Sequence, residues 1–197
     1  MKERGMIFNG EMVRAILDGR KTQTRRPVKF PHIDKDAVCE LSGNELAGEL
    51  SAGNYRNSPH GKPGDRIWVR ETWAEAGASA PDLKLYRANY PDHVPSHYEN
   101  VPPADEIRWT PSIHMPRWAS RITLEITGVH VERLRDISEQ YAQAEGATPA
   151  TYAITPPDAV YRVGYRHLWE SLYGEESWQA NPWVWVIEFK RVDGGKQ

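Results

Sequence analysis

Met12, Val13, Ile16 and Leu17 recur at the i, i+1, i+4, i+5 spacing of one helix face, while Glu11, Arg14 and Asp18 fall elsewhere. This pattern predicts a short amphipathic helix over 11–18. Asn9 is placed to cap it, and Gly19 to close it in a left-handed conformation. Met6-Ile7-Phe8 predicts a strand leading in. Directly behind the helix run Arg20, Lys21, Thr22, Gln23, Thr24, Arg25 and Arg26, stopped by Pro27. Four cations in seven residues repel one another, so the fold must set negative charge against them or leave them in water. The stretch reads as a strand edge guarded by cations or as an anion or nucleic-acid site.

Residues 27–64 lose this periodicity and predict a long loop with a short helix near 44–50. Lys62-Pro63-Gly64-Asp65 is a turn, since proline presets φ and glycine takes the positive φ beside it. It launches a strand over 66–73, with Ile67, Val69 and Glu71 on one face and Trp68, Arg70 and Thr72 on the other. The proline-rich stretch 75–118 offers only short pieces: a strand over 83–88 and another beginning at Arg108-Trp109. The segment 114–121, His-Met-Pro-Arg-Trp-Ala-Ser-Arg, reads as an ordered loop. Residues 122–134 alternate cleanly, with Gly128 as a bulge or bend. A short helix is expected from Ser138 to Glu145, ended near Gly146, and a proline-bearing loop follows it. A longer helix is then capped by Asp158 and ended by Gly174, with Tyr161, Tyr165, Leu168 and Leu172 as its buried stripe. Residues 183–191 are nearly all β-branched or aromatic and predict a central strand buried on both faces. The order β-α-β, loop, several β, α, α, β predicts an α+β fold: a small mixed sheet or partly closed barrel with helices at its ends.

Composition narrows the function classes. The chain has 197 residues and a formal net charge of −2, so a nucleic-acid partner would have to be drawn by a local patch. Its single cysteine, Cys39, permits no internal disulfide or cysteine-based zinc site. His93 and His97 have i, i+4 spacing, but Pro95 between them argues against a metal site, and no cofactor motif stands out. No apolar run approaches membrane-spanning length, and the N-terminus lacks a signal-peptide centre, so a cytoplasmic protein without a membrane partner is expected. Eight tryptophans against three phenylalanines offer stacking faces as well as core volume.

The helix-Gly-Arg-Lys-Thr-x-Thr-x-Arg run at 12–26, the Pro-Gly-Asp turn feeding the strand at 63–70, and the closing Val-Ile-Glu-Phe strand together resemble the ASCH family. The resemblance spans residues 6–26, 63–73, 121–146 and 160–191. It implies a single PUA-like domain over 1–197, with insertions at about 27–62 and 75–118. His-Met-Pro-Arg-Trp-Ala-Ser-Arg and Asn-Pro-Trp-Val-Trp-Val look like the longer ASCH proteins of phages and prophages. One branch of the family hydrolyses N4-acetylcytidine with a lysine, a threonine and a glutamate. Its Gly-Arg-Lys-Thr-x-Thr motif matches Gly19 to Thr24, which would make Lys21 the base and Thr24 the nucleophile. Its Ala-x-x-Glu setting resembles Ala142 to Glu145 and would make Glu145 the acid.

The chemistry is coherent. A nucleobase amide needs an activated nucleophile, an acid for the leaving nitrogen and a stabilised oxyanion. An ordinary lysine is charged at neutral pH, but burial and the cations Arg20, Arg25 and Arg26 would lower its proton affinity. One geometric condition applies. Residues three apart on a strand face opposite ways, so Lys21 and Thr24 share a pocket only if Lys21 still belongs to the turn. Arg20, Arg25, Arg26, Trp68, Arg70, Arg117 and Trp118 are the candidate binding residues for a modified nucleoside or single-stranded RNA. Two other functions fit the same basic stretch: an RNA or modified-nucleotide reader without turnover, and a ribonuclease acting on single-stranded RNA.

Overall fold

Asn9 caps the first helix as its side chain accepts from the Met12 N–H, and it turns the chain out of strand β1 (Glu3–Ile7) into helix α1 (Gly10–Leu17). The computed structural model describes residues 1–77, 80–151 and 155–192. Helix α1 buries Met12, Val13, Ala15 and Ile16, and Gly19 follows with φ of +75°. Strand β2 (Gln23–Pro27) comes next, then a two-residue hairpin of β3 (His32–Ile33) and β4 (Glu40–Leu41) and helix α2 (Gly43–Ser51). The short helix expected near 44–50 is thus present, and a small hairpin precedes it in the segment read as a loop. A reciprocal Ser42–Glu45 capping box starts α2, and Leu46 and Leu50 bury it.

The Pro63-Gly64 turn launches strand β5 (Arg66–Arg70), shorter than the strand expected over 66–73 because the chain breaks before a second hairpin. That hairpin is β6 (Trp73–Glu75) with β7 (Lys84–Tyr86), and residues 108–109 form no strand. Strand β8 (Thr123–Arg133) carries the expected irregularity, a register shift between Ile126 and Gly128. Helices α3 (Glu139–Ala144), α4 (Val160–Tyr173) and α5 (Glu175–Gln179) precede strand β9 (Trp183–Val192). Residues 152–154 of the loop before α4 lie outside the described residues.

Helix α4 departs from the sequence reading at its start and in the last residue of its stripe. Asp158 does not cap it. The Glu139 carboxylate, from α3, accepts from the Tyr161 and Arg162 N–H groups instead. Tyr161, Tyr165 and Leu168 pack inward as expected, joined by Trp169, while Leu172 at the end of the expected stripe is exposed. Gly164, inside the helix, has a packing reason: a Cβ there would lie 1.9 Å from the Thr148 carbonyl oxygen.

Five strands form one mixed sheet in the order β1-β5-β8-β9-β2, with β1 parallel to β5 and the other pairs antiparallel. Laid flat, four interstrand steps would separate β1 and β2 by about 19 Å. The Arg26 guanidinium nonetheless donates to the Ile7 carbonyl at 2.7 Å, so the sheet curls until its edges face each other. No ladder joins β1 to β2 among the described residues, so the expected mixed sheet with helices is present and curled but not closed by hydrogen bonds into a barrel.

The two faces of this sheet decide what each residue of β2 can reach. Thr24 pairs with Ile187, which pairs with Val129, and these belong to the face covered by α1 and α2. Arg25 pairs with Val186, and Val184 and Val186 lie on the other face, packed against Tyr165 and Trp169 of α4. No helix among the described residues is long and apolar enough to cross a membrane.

Candidate functional site

Lys21 belongs to the turn before β2. Its N–H donates to the Ala15 carbonyl, and the residue forms an isolated bridge with Glu145, the C-terminal cap of α3. Its side chain runs against Gly146, where a Cβ would lie 3.0 Å from the Lys21 Cβ and 2.9 Å from that of Ala15. Gly146, at φ of +77°, supplies both the turn and the room. The ammonium ends fully buried, donating to the Glu145 carbonyl at 2.8 Å and to Oε2 of its carboxylate at 2.9 Å.

Glu145 is shared. Arg25, also fully buried, donates to its other oxygen, Oε1, at 2.9 Å. Arg25 also reaches Glu132 Oε1, from Nε at 3.0 Å and from Nη2 at 2.5 Å. The rings of Tyr141 and Tyr165 flank its guanidinium. Two cations thus face two carboxylates, and the charges of the buried group cancel. His130 stands beyond Glu132 at 3.7 Å, nearer the surface.

Burial pushes the Lys21 amine below the ordinary lysine range. Arg26 and Arg25 push the same way, and Glu145 opposes them. For Arg25 burial again acts against the charge, but Glu145 and Glu132 overcome it and the guanidinium is held more firmly protonated. Burial raises the Tyr165 hydroxyl far above its usual value, with the Glu145 charge adding to it.

A cleft of about 440 Å³ adjoins this group. Glu145 and Gly146 form part of its wall, with Arg14, Arg20, His167 and Ser171 around them. Lys21 lies behind Glu145. Lys21 faces the same way as Arg25, as strand alternation would place it, so the turn does not bring it to one pocket with Thr24.

The structure brings Lys21, Glu145 and Arg25 together and sets Arg20 at the cleft. Thr24 is buried on the opposite face of β2, turned to the large core with Ile187 and Val129. Arg26 shares that face and stands over Phe8. The remaining binding candidates are dispersed. Trp68 lies over Gly5 under the Arg70 guanidinium, Arg117 pairs with Glu3 at 3.0 Å, and Trp118 is exposed, edge-on to Trp73 and beneath Lys84.

Sequence reasoning missed Glu132, Tyr141 and Tyr165 as members of the group. A signal for Glu132 existed: it alternates with Val131 on a strand whose other face is apolar, so it must point with His130 toward the α4 side.

No family model matches the chain, and no curated protein matches it. Among solved structures, the crystal structure of a DUF984 protein from Enterococcus faecalis V583 is similar at a TM-score of 0.42 and 11% identity, covering 100% of this chain and 86% of that one.

Proposed function

We propose that this chain is a PUA-like protein of the ASCH type that hydrolyses the N4-acyl amide of acetylated cytidine or a related modified pyrimidine. The observation that carries the reading is the buried Lys21 ammonium, hydrogen-bonded at 2.9 Å to a carboxylate that itself lines a cleft. Moving one proton across that bond leaves an uncharged amine and an uncharged carboxyl, the forms in which a lysine serves as base and a glutamate as acid. Burial favours the neutral pair. Arg25, donating to the other oxygen, favours the charged one, so the neutral pair is the minor form at rest.

In this scheme the Glu145 carboxyl at the cleft wall hands its proton to the Lys21 amine behind it as it takes one from a water at the acyl carbon, and the resulting hydroxide adds there. The carbon–nitrogen bond breaks as the Glu145 carboxyl gives its proton to the departing N4. Acetic acid and the free pyrimidine leave, and the lysine–glutamate pair is back in its charged state. Arg14 and Arg20 supply positive charge along the cleft for the oxyanion. A water is assigned as nucleophile because Thr24 would have to reach the cleft through its own strand.

The test is acetate release from N4-acetylcytidine by the pure protein. Lys21→Met and Glu145→Gln should abolish it, and Thr24→Val should keep most of it. Loss of activity in Thr24→Val with an unchanged fold would return the nucleophile to the threonine. No acetate from the unaltered protein would refute the reading for this substrate. The saturation of both Glu145 oxygens favours one other reading, binding without turnover, which predicts salt-sensitive retention of RNA or of the modified nucleoside with no product.

A further inference from the structure

The gap between the two edges of the main sheet opens into a second cavity, distinct from the Glu145 cleft and about twice its size, at about 860 Å³. Four cations line it, Arg4, Arg26, Lys29 and Arg70, and no carboxylate does among the described residues. Arg4 is answered by Asp65 at 3.3 Å, and among the described residues Arg26, Lys29 and Arg70 have no acidic partner at the opening. Arg26 and Arg70 each give one Nη2 donor to a main-chain carbonyl, of Ile7 and Ile113 respectively. Arg70 also keeps a buried Nε with no hydrogen-bond partner, an unmet donor that calls for an explanation.

Behind these charges the wall is largely apolar and carries two imidazole rings. Ile67 and Met6 come from the sheet, and Pro31, His32, Pro59 and His60 come from the 27–62 insertion. The imidazoles of His32 and His60 stand edge-on to Trp185, at 5.7 and 5.5 Å between ring centres. Burial, together with Arg26 and Arg4, keeps His60 uncharged at neutral pH, so it adds a ring and a donor–acceptor pair rather than another cation.

We propose that this slot binds a small organic anion with a flat, largely apolar body: an aromatic ring system carrying a phosphate or a carboxylate. The volume lies in the range of small-ligand sites. The guanidinium groups provide the planar donor forks that match either oxyanion. A bare inorganic anion would leave the apolar wall unfilled, and a neutral ring would leave the cations unanswered. The insertion thereby acquires a role, since its two histidines and two prolines form one side of the slot. This inference is independent of the amidohydrolase reading.

The experiment is calorimetric titration of the full chain with two anionic probes, adenosine 5′-monophosphate and 1-naphthoate, beside inorganic phosphate and adenosine. At least one ring-bearing anion should bind saturably and about tenfold or more tightly than inorganic phosphate or adenosine. Which of the two does so decides between phosphate and carboxylate. Arg26→Gln should weaken that binding about tenfold. Lys29→Glu, at an exposed position that no fold contact depends on, should weaken it about fivefold, and Lys21→Met should leave it unchanged. In the NMR spectrum the imidazole signals of His60 and His32 should move with the same saturation curve. Absence of saturable binding by either anion at millimolar concentration would overturn the proposal. So would inorganic phosphate binding equally well, or indifference of the affinity to Lys29→Glu.

Discussion

Removing either end of the Lys21–Glu145 pair should have unequal consequences. In Glu145→Gln the lysine keeps the main-chain oxygen at 2.8 Å but loses its counter-charge at 2.9 Å, and Arg25 falls back on Glu132 alone. Stranding a buried charge in this way costs about 3–5 kcal/mol. The lysine has one escape, which is to give up its proton. From an ordinary value near 10.4, doing so at pH 7 costs about 5 kcal/mol, and that sets the ceiling. In Lys21→Met the remaining carboxylate still has Arg25, and an apolar chain replaces a desolvated cation. The loss is then about 1–2 kcal/mol, the scale of the hydrogen bonds removed. Urea unfolding of both variants at pH 7 should therefore place Glu145→Gln below Lys21→Met by about 2 kcal/mol. The gap should also close with rising pH. The stranded lysine is neutral in the folded variant and charged in the unfolded chain, so the unfolded state binds the extra proton. Stability then rises by up to about 1.4 kcal/mol per pH unit until the unfolded lysine also titrates. Equal losses in the two variants, or a Glu145→Gln deficit that ignores pH between 7 and 9, would refute this account of the group.

Gly146→Ala should destabilise by about 2–4 kcal/mol, because the residue has φ of +77° and its new methyl would press on Ala15 and Lys21; thermal unfolding reads it, and a loss below about 1 kcal/mol would contradict the packing described. His60, held down to about 4, is uncharged in the fold but takes a proton in the unfolded chain below about 6.5. The stability it contributes is intact above that value and is lost as pH falls toward 4, by at most about 3 kcal/mol. His60→Phe should flatten that part of the stability–pH curve, and an unchanged slope would contradict it. Glu139→Gln should weaken the start of α4 by about 1 kcal/mol through loss of the two N–H contacts at Tyr161 and Arg162, seen as faster hydrogen exchange there.

Much of this architecture was readable in the chain. Asn9, the Met12–Leu17 spacing, the Pro63-Gly64 turn, the Gly128 irregularity and the strand read over 183–191 all follow from local chemistry, and the structure has them, the last as Trp183–Val192. The misreadings have nonlocal causes. Asp158 satisfied every local rule for a cap, yet Glu139, twenty-two residues before Tyr161, took that role because α3 packs beside α4. In the 27–62 segment the short helix expected near 44–50 is present as α2, but the β3–β4 hairpin was not read, because it is only two residues a side. At the site, Gly19 makes the turn before Lys21, but Lys21 faces with Arg25 and strand alternation sends Thr24 to the opposite face, so the two do not share a pocket. Local spacing carried that alternation. It did not carry the partnership of Arg25 with Glu132, 107 residues away, which depends on the register of β2, β9 and β8.

The most direct measurement is the titration of the Lys21 side chain itself, followed through its Cε and Hε signals by heteronuclear NMR in the full chain. The structure predicts a midpoint clearly below the ordinary lysine value of about 10.4, because the amine is shut away from water and the charges of Arg26 and Arg25 add to that effect, against the opposing pull of Glu145. A midpoint at or above that value would mean a strongly held ammonium, and no base could be drawn from it.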